Sequence, residues 1–262
     1  MKYETLTIDR DADSGVATVT LENGPRNAID ARMARDFEHA ILGLGDDEAI
    51  GAVVLTGAGK AFSGGGDLKN MGVDFDDSPA VRAFMADCHR GVLAMIAMEK
   101  PVVAAVNGDA AGAGWSLALA SDLVVASTEA RFIMAFVRVG AVPDLGAAWM
   151  LPRLVGPHKA REWMMLGDVV SAEEAHRLGV VNWLAAPESV LTEAQEIAAK
   201  LAAGPRGALG LMKQMVNRYG TVPLEAALEH EADAQARAFA TKDFKEGVAA
   251  FKEKRPARFG SK

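Results

Sequence analysis

Two uninterrupted apolar segments place the strongest limit on how this chain can fold. They are AIGAVVLTGAG at 49–59 and PVVAAV at 101–106, and each runs into a turn that contains glycine. Strands without polar alternation belong to sheets that are covered on both faces, which are mostly parallel. Helical apolar spacing follows at 79–98, and a helix rich in small residues follows from about residue 112. The pattern therefore predicts an α/β protein with a buried sheet.

The remaining pattern divides the chain into an α/β part and a helical part. Further strands are predicted at 3–8, 16–21, 123–126, 131–134 and 180–184, and helices from Asp30, after Ala147, over 160–166 and from Ser171. Ser171 and Glu174 form a capping-box pattern, which is typical of a helix start. From residue 187 onward most residues favour helix, with breaks at 204–205 and 220–223. We therefore expect a core over residues 1–200 and a C-terminal helical region over residues 201–262.

Charge and cysteine content exclude several classes of function. The 262 residues carry a formal net charge of −7, which disfavours nucleic-acid binding because such a surface repels phosphate backbones. The one cysteine, Cys88, cannot form an intrachain disulfide, and no apolar run reaches the ~18 residues of a membrane-spanning helix. The acidic cluster at 74–79 lacks the spacing of metal ligands. We expect a cytoplasmic protein with no metal and no membrane association.

Two glycine-rich turns are candidates for binding a ligand through the backbone. AFSGGGDLKNM at 61–71 follows a strand, and NGDAAGAGWSLALASDL at 107–123 opens a helix. Glycine lets a ligand approach backbone N–H groups, and a helix N-terminus presents unpaired donors to negative charge. Neither turn ends in the Gly-Lys-Ser/Thr of a phosphate loop. Tight packing between backbones would explain the same glycines, so both interpretations stay open.

Asp144 is the one acidic residue within GAVPDLGAAWMLPRLVG at 140–156. It could cap a helix that begins at Leu145, since aspartate is a preferred N-cap. Alternatively, the protein could hold the carboxylate in an apolar pocket because a reaction needs it.

Taken together, these segments resemble the crotonase (enoyl-CoA hydratase/isomerase) superfamily. AFSGGGDLKNM, KPVVAAVNGDAAGAGWSLALASDLVVAS, ARFIMAFVRVGAVPDLGAAWMLPRLVG and SAEEAHRLGVVN occur in the family's order and spacing. The segment FIMAFVRVGAVPDLG resembles most the subgroup of enoyl-CoA isomerases that includes phenylacetyl-CoA-epoxide isomerases. The resemblance implies a crotonase-like spiral of ββα units with two stacked sheets and a C-terminal helical trimerisation region. It also implies a homotrimer or a hexamer (a dimer of trimers), an acyl-CoA substrate and no permanently bound cofactor.

The resemblance assigns an oxyanion hole to the backbone N–H groups of Gly66 and Ala113, which would stabilise a thioester enolate. Hydratases of the family use two glutamates to add water, and these positions are Ser116 and Phe136 here. The missing carboxylates favour an isomerase in which Asp144 is the single acid/base. Apolar neighbours would exclude water and raise the pKa of this carboxyl group.

Three alternatives stay open at this point. Overall similarity would equally support the name enoyl-CoA hydratase. His89 matches the position of a catalytic base in aryl-CoA dehalogenases of the superfamily, so Asp144 and His89 could act as nucleophile and base in hydrolysis or dehalogenation. A non-catalytic acyl-CoA binder is the third alternative.

Further residues are assigned to the ligand by resemblance. The coenzyme-binding candidates are Arg26, Ala28, Gly64, Gly65, Asp67, Leu68, Lys69, Phe251 and Lys254. The candidates for the substrate pocket are Met71, Phe84, Trp115, Phe136, Leu145 and Trp149. Lysine and arginine suit phosphate groups, although each cation here could equally be an ordinary solvated side chain.

Overall fold

A computed structural model describes residues 2–220 and 222–260. Its strands are β1 (Leu6–Asp11), β2 (Val16–Leu21), β3 (Ala52–Gly57), β4 (Ala61–Ser63), β5 (Val102–Val106), β6 (Asp109–Ala111), β7 (Leu123–Ser127), β8 (Arg131–Ile133), β9 (Val169–Ser171) and β10 (Trp183–Ala185). Its α-helices are α1 (Ala31–Asp46), α2 (Ser78–Ala97), α3 (Ala113–Ala120), α4 (Ala147–Leu166), α5 (Ala172–Arg177), α6 (Val190–Ala202), α7 (Arg206–Tyr219), α8 (Leu224–Phe239) and α9 (Lys242–Glu253). Short 3-10 helices lie at Gly24–Arg26 and Ala135–Val139.

The strands form two sheets, and consecutive strands from β3 to β8 alternate between them. One sheet has the order β1-β2-β3-β5-β7-β10 and the other the order β4-β6-β8-β9. Only the pairs β1–β2 and β8–β9 are antiparallel within these sheets. From β3 onward the chain enters the first sheet, then the second sheet, and then a helix, three times in succession. The spiral of ββα units in two sheets is therefore confirmed.

Both faces of the larger sheet are covered, as the uninterrupted apolar segments predicted. Along β3, the side chains of Val53 and Leu55 belong to the main core, which α1 and α2 also line. Ala52 and Val54 face the opposite way and pack with Ala194 and other residues of α6 in a second cluster. Alternate residues of one strand therefore enter two cores, which is why the sequence shows no polar alternation.

Helix boundaries were predicted better than the short strands. Asp30 caps α1 by accepting the N–H groups of Arg32 and Met33, and Gly167 ends α4 in a left-handed conformation. Ser171 caps α5 through the N–H of Glu174, as its motif predicted. The strand expected at 3–8 is shifted to β1, and the one expected at 180–184 overlaps β10 only in part. Strand β6 lies where a loop was predicted.

The helical pattern at the C-terminus is confirmed, including both interruptions. Helices α6 and α7 are separated by residues 203–205, and α7 ends at Tyr219, before α8 begins at Leu224. Among the described residues, no helix combines the length and apolar character that crossing a membrane requires.

Candidate active site

The two predicted glycine-rich turns lie against each other at the edge of the smaller sheet. A Cβ atom on Gly65 would lie 2.6 Å from the carbonyl oxygen of Ala111 and 3.3 Å from the nitrogen of Ala113. A Cβ atom on Gly114 would clash with the carbonyl oxygen of Ser63. Gly65 also has a φ of 87°, which side chains rarely adopt. Glycine is therefore required at both turns because two backbones touch there.

Where the two turns meet, each turn has one backbone N–H group without a hydrogen-bond partner. The N–H of Ile29 donates to the carbonyl of Gly65, and the N–H of Asp67 donates to the carbonyl of Ile29, so Gly66 is held between two hydrogen bonds. Neither the N–H of Gly66 nor that of Ala113 donates to another residue that the structure describes. Ala113 is the first residue of α3, where a helix has N–H groups without internal partners. Both groups are available to a ligand oxygen.

Asp144 is a largely buried carboxylate without a partner. Its Oδ1 atom is inaccessible and has no hydrogen-bond partner among the described residues. Desolvation by burial raises the pKa of Asp144 from 3.8 to about 6. A carboxyl group that titrates near neutrality and accepts few hydrogen bonds is suited to exchanging a proton with a ligand.

The prediction that Asp144 caps a helix starting at Leu145 is wrong. Helix α4 begins at Ala147, and its N-cap is Gly146, which provides no side chain. The N–H of Ala147 donates to the carbonyl oxygen of Asp144 at 3.0 Å, which closes a tight turn. Leu145 and Gly146 form the middle of this turn with φ values of 48° and 85°. The Asp144 side chain therefore does not cap α4.

Leu145, the residue after Asp144, packs among apolar side chains from three helices. Leu145 is 3% exposed and lines a cavity of about 20 Å³. The other side chains that line this cavity are apolar, apart from one thiol. They are Leu21 of β2, Ile29 before α1, Met33, Ala34 and Phe37 of α1, Cys88 of α2 and Leu117 of α3. Burial and the nearby charge of Asp144 raise the pKa of the Cys88 thiol to about 12. Cys88 therefore stays a neutral thiol beside the carboxylate.

The predicted catalytic role of His89 stays a prediction. His89 is exposed on α2, whereas its neighbour Cys88 is buried and lies near Asp144. Consecutive residues on a helix point about 100° apart, so the two side chains have different surroundings. Cys88 is the site residue that sequence reasoning missed. The signal was present, because Cys88 and not His89 belongs to the apolar stripe of this helix.

Neither position of the hydratase glutamates carries an ionisable group. The hydroxyl of Ser116 is fully buried and donates to the carbonyl of Gly112 at 3.3 Å. Phe136 is 9% exposed, and its ring lies 3.7 Å from where a Cβ of Gly112 would be. Both positions therefore add apolar or satisfied groups next to the start of α3.

The loop after β2 supports the first glycine turn. The N–H of Gly64 donates to the carbonyl of Arg26 at 2.7 Å, and the Arg26 side chain is exposed beside it. Asn27 of the same loop is fully buried, and its amide donates to the carbonyls of Ala58, Ala61 and Phe62. The half-buried Ala28 follows directly. The turn and the predicted coenzyme loop thus form one unit.

The other coenzyme candidates lie on exposed backbone and at the C-terminus. The Asp67 carboxylate accepts the N–H groups of Lys69 and Asn70, and Leu68 and Lys69 are exposed. Phe251 is 86% exposed on α9, and Lys254 caps that helix in a left-handed conformation. Their contact with a neighbouring subunit's ligand stays a prediction.

The predicted pocket residues differ in how exposed they are. The Met71 side chain lies next to Gly66, and Phe84 and Phe136 pack against the main core near the site. Trp149 is 44% exposed, with the guanidinium group of Arg153 stacked 3.8 Å from its ring centroid.

Trp115 is the exception among the predicted pocket residues. Its side chain is fully buried, and its ring packs on those of Phe132 and Trp163 at centroid distances of 5.4 and 5.5 Å. The structure places Trp115 in the core, so its predicted place on the pocket surface is wrong.

In the part of the chain that the structure describes, no group of three or more His, Cys, Asp or Glu side chains is arranged to hold a metal ion.

Comparison with known proteins assigns the family. The profile of the family Enoyl-CoA hydratase/isomerase matches residues 11–262. The chain is 37% identical to a 1,2-epoxyphenylacetyl-CoA isomerase of Escherichia coli, with 95% of this chain and 97% of the relative covered. It is 36% identical to a crotonyl-CoA hydratase of Syntrophomonas wolfei, with both chains fully covered. A crystal structure of an enoyl-CoA hydratase subunit from Geobacillus kaustophilus superposes with a TM-score of 0.92 at 34% identity, over the whole of both chains.

The chain belongs to the enoyl-CoA hydratase/isomerase family and has the crotonase fold. Names of relatives include isomerase, hydratase and dehalogenase. The family assignment therefore establishes an enzyme of acyl-CoA thioesters, and the choice among these reactions depends on the site.

Proposed function

We propose that this protein is an enoyl-CoA isomerase that moves a double bond through a thioester enolate, with Asp144 as the single acid/base. The observation that carries the proposal is the buried carboxyl group of Asp144, whose Oδ1 has no protein partner and whose pKa is raised to about 6. In this reaction, the Asp144 carboxylate removes a proton from one carbon of the acyl chain. The same carboxyl group returns a proton two carbons away, so that no atom is gained or lost.

The two glycine-rich turns supply the electrostatic part of the mechanism. Proton removal places negative charge on the thioester oxygen, and the N–H groups of Gly66 and Ala113 would each donate a hydrogen bond to it. Such donors are already fixed in place by the backbone contact between the turns, so binding the oxyanion requires little rearrangement. Each donor of this kind contributes roughly 3 kcal/mol to stabilising the transition state.

Addition of water is less well supported than isomerisation. Two carboxylates would have to hold and deprotonate the water, and Ser116 and Phe136 occupy the corresponding positions. The Phe136 ring and the Leu145 side chain instead make the surroundings of Asp144 apolar. A single carboxylate in such surroundings favours proton transfer between carbons, because desolvation keeps its basicity high.

Proton exchange followed by ¹H NMR in D₂O tests the proposal directly. With a 3-enoyl-CoA we expect migration of the double bond and deuterium at the carbon that receives the proton. With an arylacetyl-CoA, which has no double bond to move, we expect deuterium next to the thioester carbonyl. The Asp144→Asn variant should reduce both rates by about 10²- to 10⁴-fold, because general acid–base catalysis contributes that much. Asp168→Asn is the matched control, since Asp168 is exposed and the same charge is removed; it should behave as wild type.

Two results would contradict the proposal. One is exchange that persists unchanged in Asp144→Asn. The other is accumulation of a 3-hydroxyacyl thioester without double-bond migration, which would assign the chain to the hydratases instead.

A further inference from the structure

Leu145 has a backbone conformation that its side chain does not favour. Three residues other than glycine have positive φ within the described part of the chain: Asn27, Leu145 and Lys254. Asparagine tolerates this conformation, and Lys254 ends helix α9, where left-handed residues are common. Leu145 has neither explanation, and leucine prefers to avoid a positive φ because its Cβ approaches the backbone. Other contacts must hold Leu145 in place.

The side chain of Leu145 supplies those contacts. It is 3% exposed and ends in the cavity between α1, α2 and α3, where Met33, Cys88 and Leu117 surround it. On the other side, the hydrogen bond from the Ala147 N–H to the Asp144 carbonyl closes the turn. The backbone between these two attachments is short, since only Leu145 and Gly146 separate Asp144 from Ala147.

We propose that Leu145 is a positioning residue: its side chain, anchored among α1, α2 and α3, holds the strained turn that aims the Asp144 carboxyl group at the substrate. The argument rests on the proposed function, because it assigns the direction of the Asp144 side chain to the acid/base step. Strain of this kind persists only where surrounding packing imposes it, and it is concentrated at functional sites. A displacement of about 1 Å at a reacting group is enough to reduce a rate about 100-fold.

The same anchor keeps water from the carboxyl group. Leu145 lines the same small cavity as Cys88 of α2, whose pKa is raised by burial and by the charge of Asp144, so that the thiol stays neutral. Loss of the leucine side chain would open a path between the cavity and the carboxylate. The pH dependence of catalysis therefore reports on this role separately from folding.

Four variants at this position separate the anchor from the backbone conformation. Leu145→Gly removes the strain and the anchor together, and Leu145→Ala removes the anchor alone. Leu145→Met keeps an apolar anchor that, like leucine, is not branched at Cβ. Leu145→Ile keeps the volume but is branched at Cβ, which this conformation tolerates worst. We expect kcat for exchange to fall about 10- to 100-fold in the Gly, Ala and Ile variants and to stay close to wild type in Leu145→Met.

The KM for the thioester should change little in all four variants. In Leu145→Gly and Leu145→Ala, the pH at which kcat reaches half of its plateau value should fall below about 6. Thermal unfolding of each variant checks that the chain is folded. Wild-type kcat and an unchanged pH profile in Leu145→Gly would overturn the proposal. Asp144→Asn is measured in parallel: if it retains exchange, the proposed function fails, and if it loses exchange while Leu145→Gly does not, only this inference fails.

Discussion

Asp144 sets the pH dependence of the proposed reaction. Its carboxyl group has to be ionised to remove a proton, and desolvation raises its pKa to about 6. We expect kcat/KM for isomerisation to rise with pH through about 6 and to level off above it. A pH–rate profile of the wild-type enzyme with a 3-enoyl-CoA checks this. A midpoint near 4, the ordinary value for aspartate, would show that the carboxylate is solvated during catalysis.

The same residue should lower the stability of the folded protein at neutral pH. In the unfolded chain this carboxyl group releases its proton near pH 3.8, whereas in the folded chain it does so near 6. Between these values the folded protein holds the extra proton, so stability falls as the pH rises through this window and the full loss is present above it. One pKa unit corresponds to about 1.4 kcal/mol, so a rise from 3.8 to about 6 makes the loss about 3 kcal/mol.

The Asp144→Asn variant should therefore be more stable than wild type at pH 7.5 and nearly equal to it at pH 4. Urea denaturation at the two pH values measures the difference. Equal stability of the two proteins at pH 7.5 would mean that burial of this carboxylate carries no cost.

At the level of single residues, the sequence predicted the apolar surroundings of Asp144 but not its local geometry. The surroundings follow from composition, because Asp144 is the one acidic residue over 140–156. The capping interpretation failed because the positive φ of Leu145 depends on contacts with three distant helices. His89 was selected by resemblance, while the periodicity of α2 pointed to Cys88.

At the level of secondary-structure elements, close backbone contacts bring together the turns that carry the two proposed oxyanion donors. Gly114 in the first turn of α3 lies against the carbonyl of Ser63 at the end of β4, where a Cβ atom would clash. We expect Gly114→Ala to push α3 and β4 apart and to reduce kcat by at least about 100-fold, since one misplaced oxyanion donor costs about that much. Gly207→Ala on α7 is the control, because open space surrounds that position.

Steady-state kinetics and circular dichroism of both variants test this contact. A folded Gly114→Ala protein with wild-type kcat would show that the donors do not need this spacing.

The glycines of the two turns could be recognised in the sequence. The short strands β4, β6 and β9 were not, because three residues are too few to show a period of two and their pairing depends on the spiral as a whole.

On the scale of the whole molecule, a buried ion pair ties the C-terminal helices to the core. The Lys213 ammonium of α7 lies 2.8 Å from the Asp122 carboxylate and also donates to the carbonyls of Met95 and Lys100. Its side chain is 5% exposed, and burial lowers the pKa of Lys213. One side chain thus joins α7 to the last turns of α2, to the loop before β5 and to the loop before β7.

Breaking this pair should destabilise the fold more than replacing it. Lys213→Met leaves the Asp122 carboxylate without its ammonium partner, and we expect a loss of about 3 kcal/mol in the free energy of unfolding. The double variant Lys213→Met/Asp122→Leu should regain a large part of that loss, because no unpaired charge remains. Lys200→Met, at an exposed position on α6, is the control and should change stability by less than about 0.5 kcal/mol. A double variant as unstable as the single one would contradict this explanation.

The C-terminal helices also carry the surface on which we propose that subunits associate. Phe251, Val216 and Leu224 are 86%, 80% and 70% exposed on α9, α7 and α8. Large apolar side chains that stay this exposed are candidates for an interface, because a soluble monomer rarely leaves large apolar patches uncovered. Together with the family resemblance, this exposure predicts a homotrimer or a dimer of trimers.

Light scattering after size-exclusion chromatography should give three or six times the chain mass of 27.6 kDa. Phe251→Glu would bury a carboxylate in the interface and should shift the protein to smaller species, whereas Lys245→Glu, exposed on the same helix, should not. If Phe251 also contacts the ligand of a neighbouring subunit, as the resemblance implies, KM for the acyl-CoA should rise in Phe251→Glu along with the loss of assembly. A wild-type protein that is monomeric at micromolar concentration would leave this apolar surface uncovered and would contradict both parts of the prediction.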